Sequence, residues 1–173
     1  MDPYVVLMIV GGVAVLIGAG LFTIDFVGKR KRKQSLAEVI RTTIPAAVLK
    51  AEKGWLEAET ASTLYLFKAI PFHPNHELII TNKQYWCINA DLKNWRRSSV
   101  PNLVPGVAEF LAFVPVTAKP VVRVAVVMPT CRNITRYLNE SDVEIVRPDK
   151  SAYGVYFLTF PGLTRFLSDH ERK

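Results

Sequence analysis

The sequence has little of the chemistry that needs clustered soft ligands. Among its 173 residues there are two cysteines, Cys87 and Cys131, and three histidines, His73, His76 and His170. Neither set has the spacing of a zinc site, which leaves a structural zinc module without ligands. Two isolated thiols in a cytoplasmic domain read as free, and Cys87, inside an apolar run, reads as packing rather than as a nucleophile. A basic region ahead of the first apolar stretch is also missing. Met1-Asp2-Pro3 precedes that stretch and the positive charge follows it, the reverse of a secretory signal. The length leaves room for one membrane segment and one domain of ordinary size, and none for a second.

What is present begins with Val5 to Ile24, an unbroken apolar run flanked by Tyr4 and Phe26. A hydrocarbon core needs about 20 helical residues to cross, so residues 4–27 read as a transmembrane helix. Residues 28–34 form a basic juxtamembrane segment, with Lys29, Arg30, Lys31, Arg32 and Lys33 in succession. The positive-inside bias then places the N-terminus outside and residues 35–173 in the cytoplasm as a single-pass membrane protein. These five charges account for most of the formal +7 and leave +2 for the rest. The pI of about 9.5 is therefore no footprint of nucleic acid on the domain itself. Ala14 and Gly18 make a small-x-x-x-small pair, the spacing through which two such helices approach closely in a homo-oligomer or beside a protein partner.

The stretch that carries chemistry is His76 to Trp95, HELIITNKQYWCINADLKNW. Two apolar, β-rich runs separated by Asn82-Lys83-Gln84 read as a hairpin. Alternation puts Cys87, Asn89, Asp91 and Lys93 on one face, and Trp86, Ile88, Ala90 and Leu92 on the core side. Whether Glu77 joins the first set is a matter of parity. A two-residue loop sets Glu77 opposite Ile88, and a three-residue loop sets it opposite Asn89, on the face of Asp91. Asn-Lys lacks the glycine that a two-residue turn wants, which favours the longer loop. Two carboxylates at a strand end are hard oxygen ligands for Mg²⁺ or Mn²⁺, and a neighbouring ammonium can neutralise charge developing on a phosphate. The plain alternative is an ordinary strand terminus with solvated charges.

An acidic residue, about a dozen positions, then Asp/Glu-x-Lys at the end of a second strand resembles the PD-(D/E)xK nuclease superfamily. HELIITNKQYWCINADLKNW is most similar to its NERD (nuclease-related) domain. The resemblance implies Glu77 and Asp91 as metal ligands, Lys93 as the catalytic lysine and Mg²⁺ or Mn²⁺ as cofactor. It further implies Glu38 or Glu52 as an upstream acid on the first helix. Glu77 stands where Asp is usual and Asp91 where Glu is usual, a paired swap that keeps both charges and moves each carboxylate by about one methylene. Arg96 and Arg97 follow the motif in a loop, where a nuclease would contact phosphate.

The remaining elements read as α/β. Ser35 and Glu38 look like a capping box, so a short helix or a linker runs to Thr43, and Pro45 opens a second helix to about Ala58. Thr63 to Ile70 is a strand, Val107 to Val114 a short helix, and Val121 to Met128 a strand buried on both faces. Val143 to Val146 and Gly154 to Thr159 add strands, and Leu163 to Asp169 closes the chain with a helix. This order implies a restriction-endonuclease-like mixed sheet flanked by helices. The function expected is phosphodiester hydrolysis of DNA or RNA at the cytoplasmic face of a membrane. The other expectation is a catalytically inactive interaction module in a membrane complex for secretion, conjugation or defence.

Overall fold

The structure, a computed structural model, describes residues 28, 30–52, 54–89, 102–138 and 142–172. The expected membrane span at 4–27 lies outside them, and among the described residues no helix is long and apolar enough to cross a membrane.

The fold is α/β, built on two mixed five-stranded sheets. Helix α1 covers residues 30–43 and is followed by strands β1 (Val48–Ala51), β2 (Leu56–Glu59) and β3 (Leu64–Pro71). Strands β4 (Glu77–Ile80), β5 (Trp86–Asn89) and β6 (Asn102–Leu103) lead to helix α2 (Val107–Ala112). Then come β7 (Val121–Met128), β8 (Asn133–Tyr137), β9 (Val143–Ile145), β10 (Val155–Thr159), a 3₁₀ turn over Phe160–Gly162 and helix α3 (Leu163–Glu171). The first sheet has the order β1-β2-β3-β7-β10 and the second β6-β5-β4-β8-β9. The chain passes between them repeatedly, so each sheet contains strands from early and late in the sequence.

The first sheet is the middle layer. On one face Tyr65, Phe67, Val124, Val126 and Leu158 pack against Leu36 and Ile40 of α1 and Leu163, Phe166 and Leu167 of α3. On the other face Leu66, Ile70, Ala125, Val127 and Phe157 meet Leu78, Ile80, Trp86 and Ile134 of the second sheet, with Val107 and Phe110 of α2. Burial on both faces explains why VVRVAVVM carries no polar alternation at its C-terminal end. β7 lies between β3 and β10, parallel to both. The inner face of the second sheet is equally apolar, and Trp86 stands edge-on to Phe157 with ring centroids 4.8 Å apart.

Three sequence expectations need correction. The helix expected from Pro45 to about Ala58 is the β1–β2 hairpin instead. Leu56 and Ala58 turn inward while Glu57 and Glu59 do not, a period of two in a segment whose Ala, Leu, Glu and Lys content favours helix. Gly54 in the turn has φ +103°, which a helix does not accommodate. Ser35 does not open a helix, because residues 30–34 are already helical and most of the basic segment belongs to α1. Lys33 donates from that segment to the backbone carbonyl of Glu52 in the β1–β2 turn. Finally, β3 and the hairpin that follows it belong to different sheets, where one mixed sheet was expected. The strands at Val121–Met128, Val143–Ile145 and Val155–Thr159 and the helices α2 and α3 stand where the sequence puts them.

Candidate functional site

The β4–β5 hairpin has the three-residue loop. Glu77 pairs with Asn89, Leu78 with Ile88, Ile79 with Cys87 and Ile80 with Trp86. The backbone amide of Thr81 donates to Tyr85 O at 3.0 Å and closes the loop around Asn82, Lys83 and Gln84. Asn82 explains the turn chemically: its Oδ1 accepts from the amides of Gln84 at 2.9 Å and Tyr85 at 3.0 Å, an Asx turn that needs no glycine. Leu78, Ile80 and Trp86 go to the core, and Glu77, Ile79, Cys87 and Asn89 share the outer face. This is the register on which the convergence of Glu77 with Asp91 depends. Asp91, Lys93, Arg96 and Arg97 themselves lie outside the described residues.

Strand β8, which the sequence did not reveal, runs parallel to β4 and sets Asn133 beside Glu77 and Thr135 beside Ile79. Thr135 is buried, and its Oγ1 donates to Glu77 Oε1 at 3.0 Å. The hydroxyl thus orients one oxygen of a half-buried carboxylate. Cys131, just before β8, has its thiol pushed up to about 11, chiefly by burial and then by the negative charge of Glu77. At the strand entrance, Arg132 N donates to His76 O at 2.9 Å, and the His73 and His76 rings lie 5.0 Å apart. The surroundings of Glu77 are therefore Thr135, Cys131, Asn89, Asn133 and the His73–His76 loop. Among the described residues no three His, Cys, Asp or Glu side chains come together as metal ligands. Both cysteines are free thiols.

No family model, curated protein or solved structure matches this chain.

The outer face of the second sheet continues beyond Glu77. By register, Leu103, Cys87, Ile79, Thr135 and Ile145 form one row across the five strands, and Thr81 with Tyr137 and Val143 forms part of the next. Tyr85, Leu103, Val143 and Ile145 on this face are exposed, Ile145 at 65 %. Glu77 is the one carboxylate among the described outward-facing strand positions of the second sheet.

A second group that sequence reasoning missed lies on the inner side. Lys68 of β3 is 5 % exposed, donates from Nζ to Gly106 O at 2.9 Å, and stands 5.9 Å over the Phe110 ring. Desolvation lowers its pKa, and Glu109 partly offsets that shift. Gly106 has φ +65°, and a Cβ there would come within 3.2 Å of the ammonium. The signal in the sequence was a lone lysine in LYLFKAI, an otherwise apolar strand. Glu38 and Glu52, the upstream acids the resemblance implies, are on α1 and next to β1. Glu52 is ion-paired to Lys50 at 2.6 Å.

Proposed function

We propose that this chain is a membrane-anchored, metal-dependent phosphodiesterase of the nuclease-related kind. It would act on DNA or RNA at the cytoplasmic face, with residues 4–27 as its anchor. The observation that carries the reading is the pairing of Glu77 with Asn89, since the other register would have turned Glu77 away from the face that alternation gives Asp91. In this reading Glu77 and Asp91 would hold Mg²⁺ or Mn²⁺. The donor chemistry fits, because a carboxylate oriented by the Thr135 hydroxyl is a hard oxygen ligand with a supporting second partner. The metal would supply charge neutralisation at the phosphate. Lys93 would face the scissile group as a cation, and Arg96 and Arg97 would hold flanking phosphates. The finer restriction-endonuclease-like fold is part of the same proposal. It draws on the parallel β3–β7 pair joined through a hairpin and α2, and departs from a single sheet in placing the hairpin on a second one.

The test is cleavage by the full chain in detergent with Mg²⁺ or Mn²⁺, on single- and double-stranded DNA and RNA. Asp91→Ala should abolish both metal binding and cleavage. Lys93→Ala should abolish cleavage and keep the metal. A folded wild-type chain that neither binds metal nor cleaves overturns the reading.

One observation favours the second reading, an inactive interaction module in a membrane complex. Leu103 at one edge and Val143 and Ile145 at the other leave apolar side chains exposed on the sheet face that bears Glu77.

A further inference from the structure

We infer that the outer face of the second sheet is a stacking platform for single-stranded nucleic acid, with Tyr85 and Tyr137 as the base contacts leading to Glu77. The inference rests on the phosphodiesterase reading and names its substrate class.

Three features of the face carry it. The first is alignment. Thr81 pairs with Tyr85 across the hairpin loop, and the β4–β8 register carried on by one residue puts Tyr137 on its other side. With strands about 4.8 Å apart, the two tyrosines flank one strand at a separation of about 10 Å. Tyr85 is 53 % exposed and Tyr137 is half-buried, so neither is enclosed in the core. The second is direction. Glu77 lies four positions along β4 from Thr81 on the same face, about 13 Å at 3.3 Å per residue. The surface between is Ile79 and Cys87, apolar and without charge. The third is the placement of cations. Exposed Lys83 stands in the loop beside Tyr85, and exposed Arg132 directly precedes Asn133 of the Glu77 row, while among the described residues the strip between carries no second carboxylate.

Those features discriminate between nucleic-acid forms. A duplex hides its base faces and offers only backbone and groove edges to a flat sheet, so tyrosine rings gain nothing from it. A single strand has free π-faces for aromatic side chains and a backbone that cations at either end of the strip can neutralise. A protein partner would favour the aliphatic edge at Val143 and Ile145 instead, and would not need Lys83 or Arg132.

The experiment measures equilibrium binding of fluorescently labelled oligonucleotides to the full chain in detergent, with a chelator present so that no cleavage occurs. Single-stranded DNA or RNA should bind at least about tenfold more tightly than duplex of the same sequence. Tyr85→Ala and Tyr137→Ala should each weaken single-strand binding about tenfold, and Tyr85→Phe and Tyr137→Phe should retain it. Tyr153→Ala, at a ring that contacts Arg136 on the other side of the sheet, should leave binding unchanged. Equal affinity for duplex and single strand, or wild-type binding by both alanine variants, overturns the platform. Cleavage of duplex by the metal-loaded chain without single-strand preference would sink the platform and leave the phosphodiesterase reading standing. Single-strand binding that depends on both tyrosines, in a chain that never cleaves, upholds the platform and removes the hydrolytic step.

Discussion

Thr135 Oγ1 reaches across from β8 to donate to Glu77 Oε1 at 3.0 Å, joining the carboxylate to a strand more than fifty residues further along the chain. Replacing that hydroxyl by a methyl keeps the side-chain shape and removes the donor. Thr135→Val should lower stability by about 1 kcal/mol, read from the urea midpoint. If Glu77 is a metal ligand, the same change should raise the Mn²⁺ concentration needed for half-maximal cleavage about tenfold.

The negative charge of Glu77 also bears on Cys131. The thiol is held up to about 11 by burial and by that charge, so its alkylation by iodoacetamide should stay slow at pH 8 and accelerate as pH rises toward 11. Glu77→Gln removes the electrostatic part and should speed alkylation of Cys131 at pH 8 to 9. An unchanged rate, followed by mass spectrometry of the Cys131 peptide, would mean that the two groups do not interact.

Lys68 makes stability depend on pH in the alkaline range. Its folded pKa lies below 10.5, so between that value and 10.5 the unfolded chain binds a proton that the folded chain has released. Stability should therefore rise with pH through this window, and below it the cost of burying the ammonium is present in full. Lys68→Met should flatten that rise while shifting the neutral-pH stability by only about 1 kcal/mol, because relief of desolvation offsets loss of the bond to Gly106 O. Urea titrations from pH 7 to 10.5 on the two proteins would show the difference in slope.

Gly54 turns the β1–β2 hairpin at φ +103°, and a Cβ there meets nothing within 4 Å. The cost of Gly54→Ala is therefore backbone strain alone, about 1–3 kcal/mol. Thermal unfolding should report it as a drop of several degrees without loss of the folded baseline.

The N-terminal proposals have their own checks. Residues 4–27 should resist carbonate extraction as an integral anchor. Replacing Lys29 to Lys33 with neutral residues should disturb orientation in a reporter fusion. Lys33→Gln should in addition loosen the β1–β2 turn, since this side chain bonds Glu52 O.

Where the sequence was readable, a single periodicity dominated. VVRVAVVM could only be a strand buried on both sides, and the HELII…YWCIN hairpin gave its own loop length, because parity allowed two registers and turn chemistry preferred one. The Asx turn at Asn82 is what lets that loop close without a glycine. What stayed hidden was set by tertiary context. VLKA and LEAE have helical propensity, and become strands because β3 offers them an open edge. NITRY has too few apolar residues to announce β8, yet it supplies Thr135, the partner of Glu77. Lys68 was visible as a lone charge in an apolar strand, but the Gly106 carbonyl that accepts from it comes from the start of α2 and cannot be read from local pattern.

The passage of the chain back and forth between the two sheets has a consequence for how the molecule is made. β3 waits for β7, β4 waits for β8, and β7 waits for β10, with the second sheet's hairpin threaded into the interval between the first pair. Neither layer can close as an independent foldon, so assembly is dominated by distant pairings that a ribosome releases late. Folding should be slow for a chain of this size, and hydrogen exchange in β3, β4 and β7 should report one common opening event rather than two.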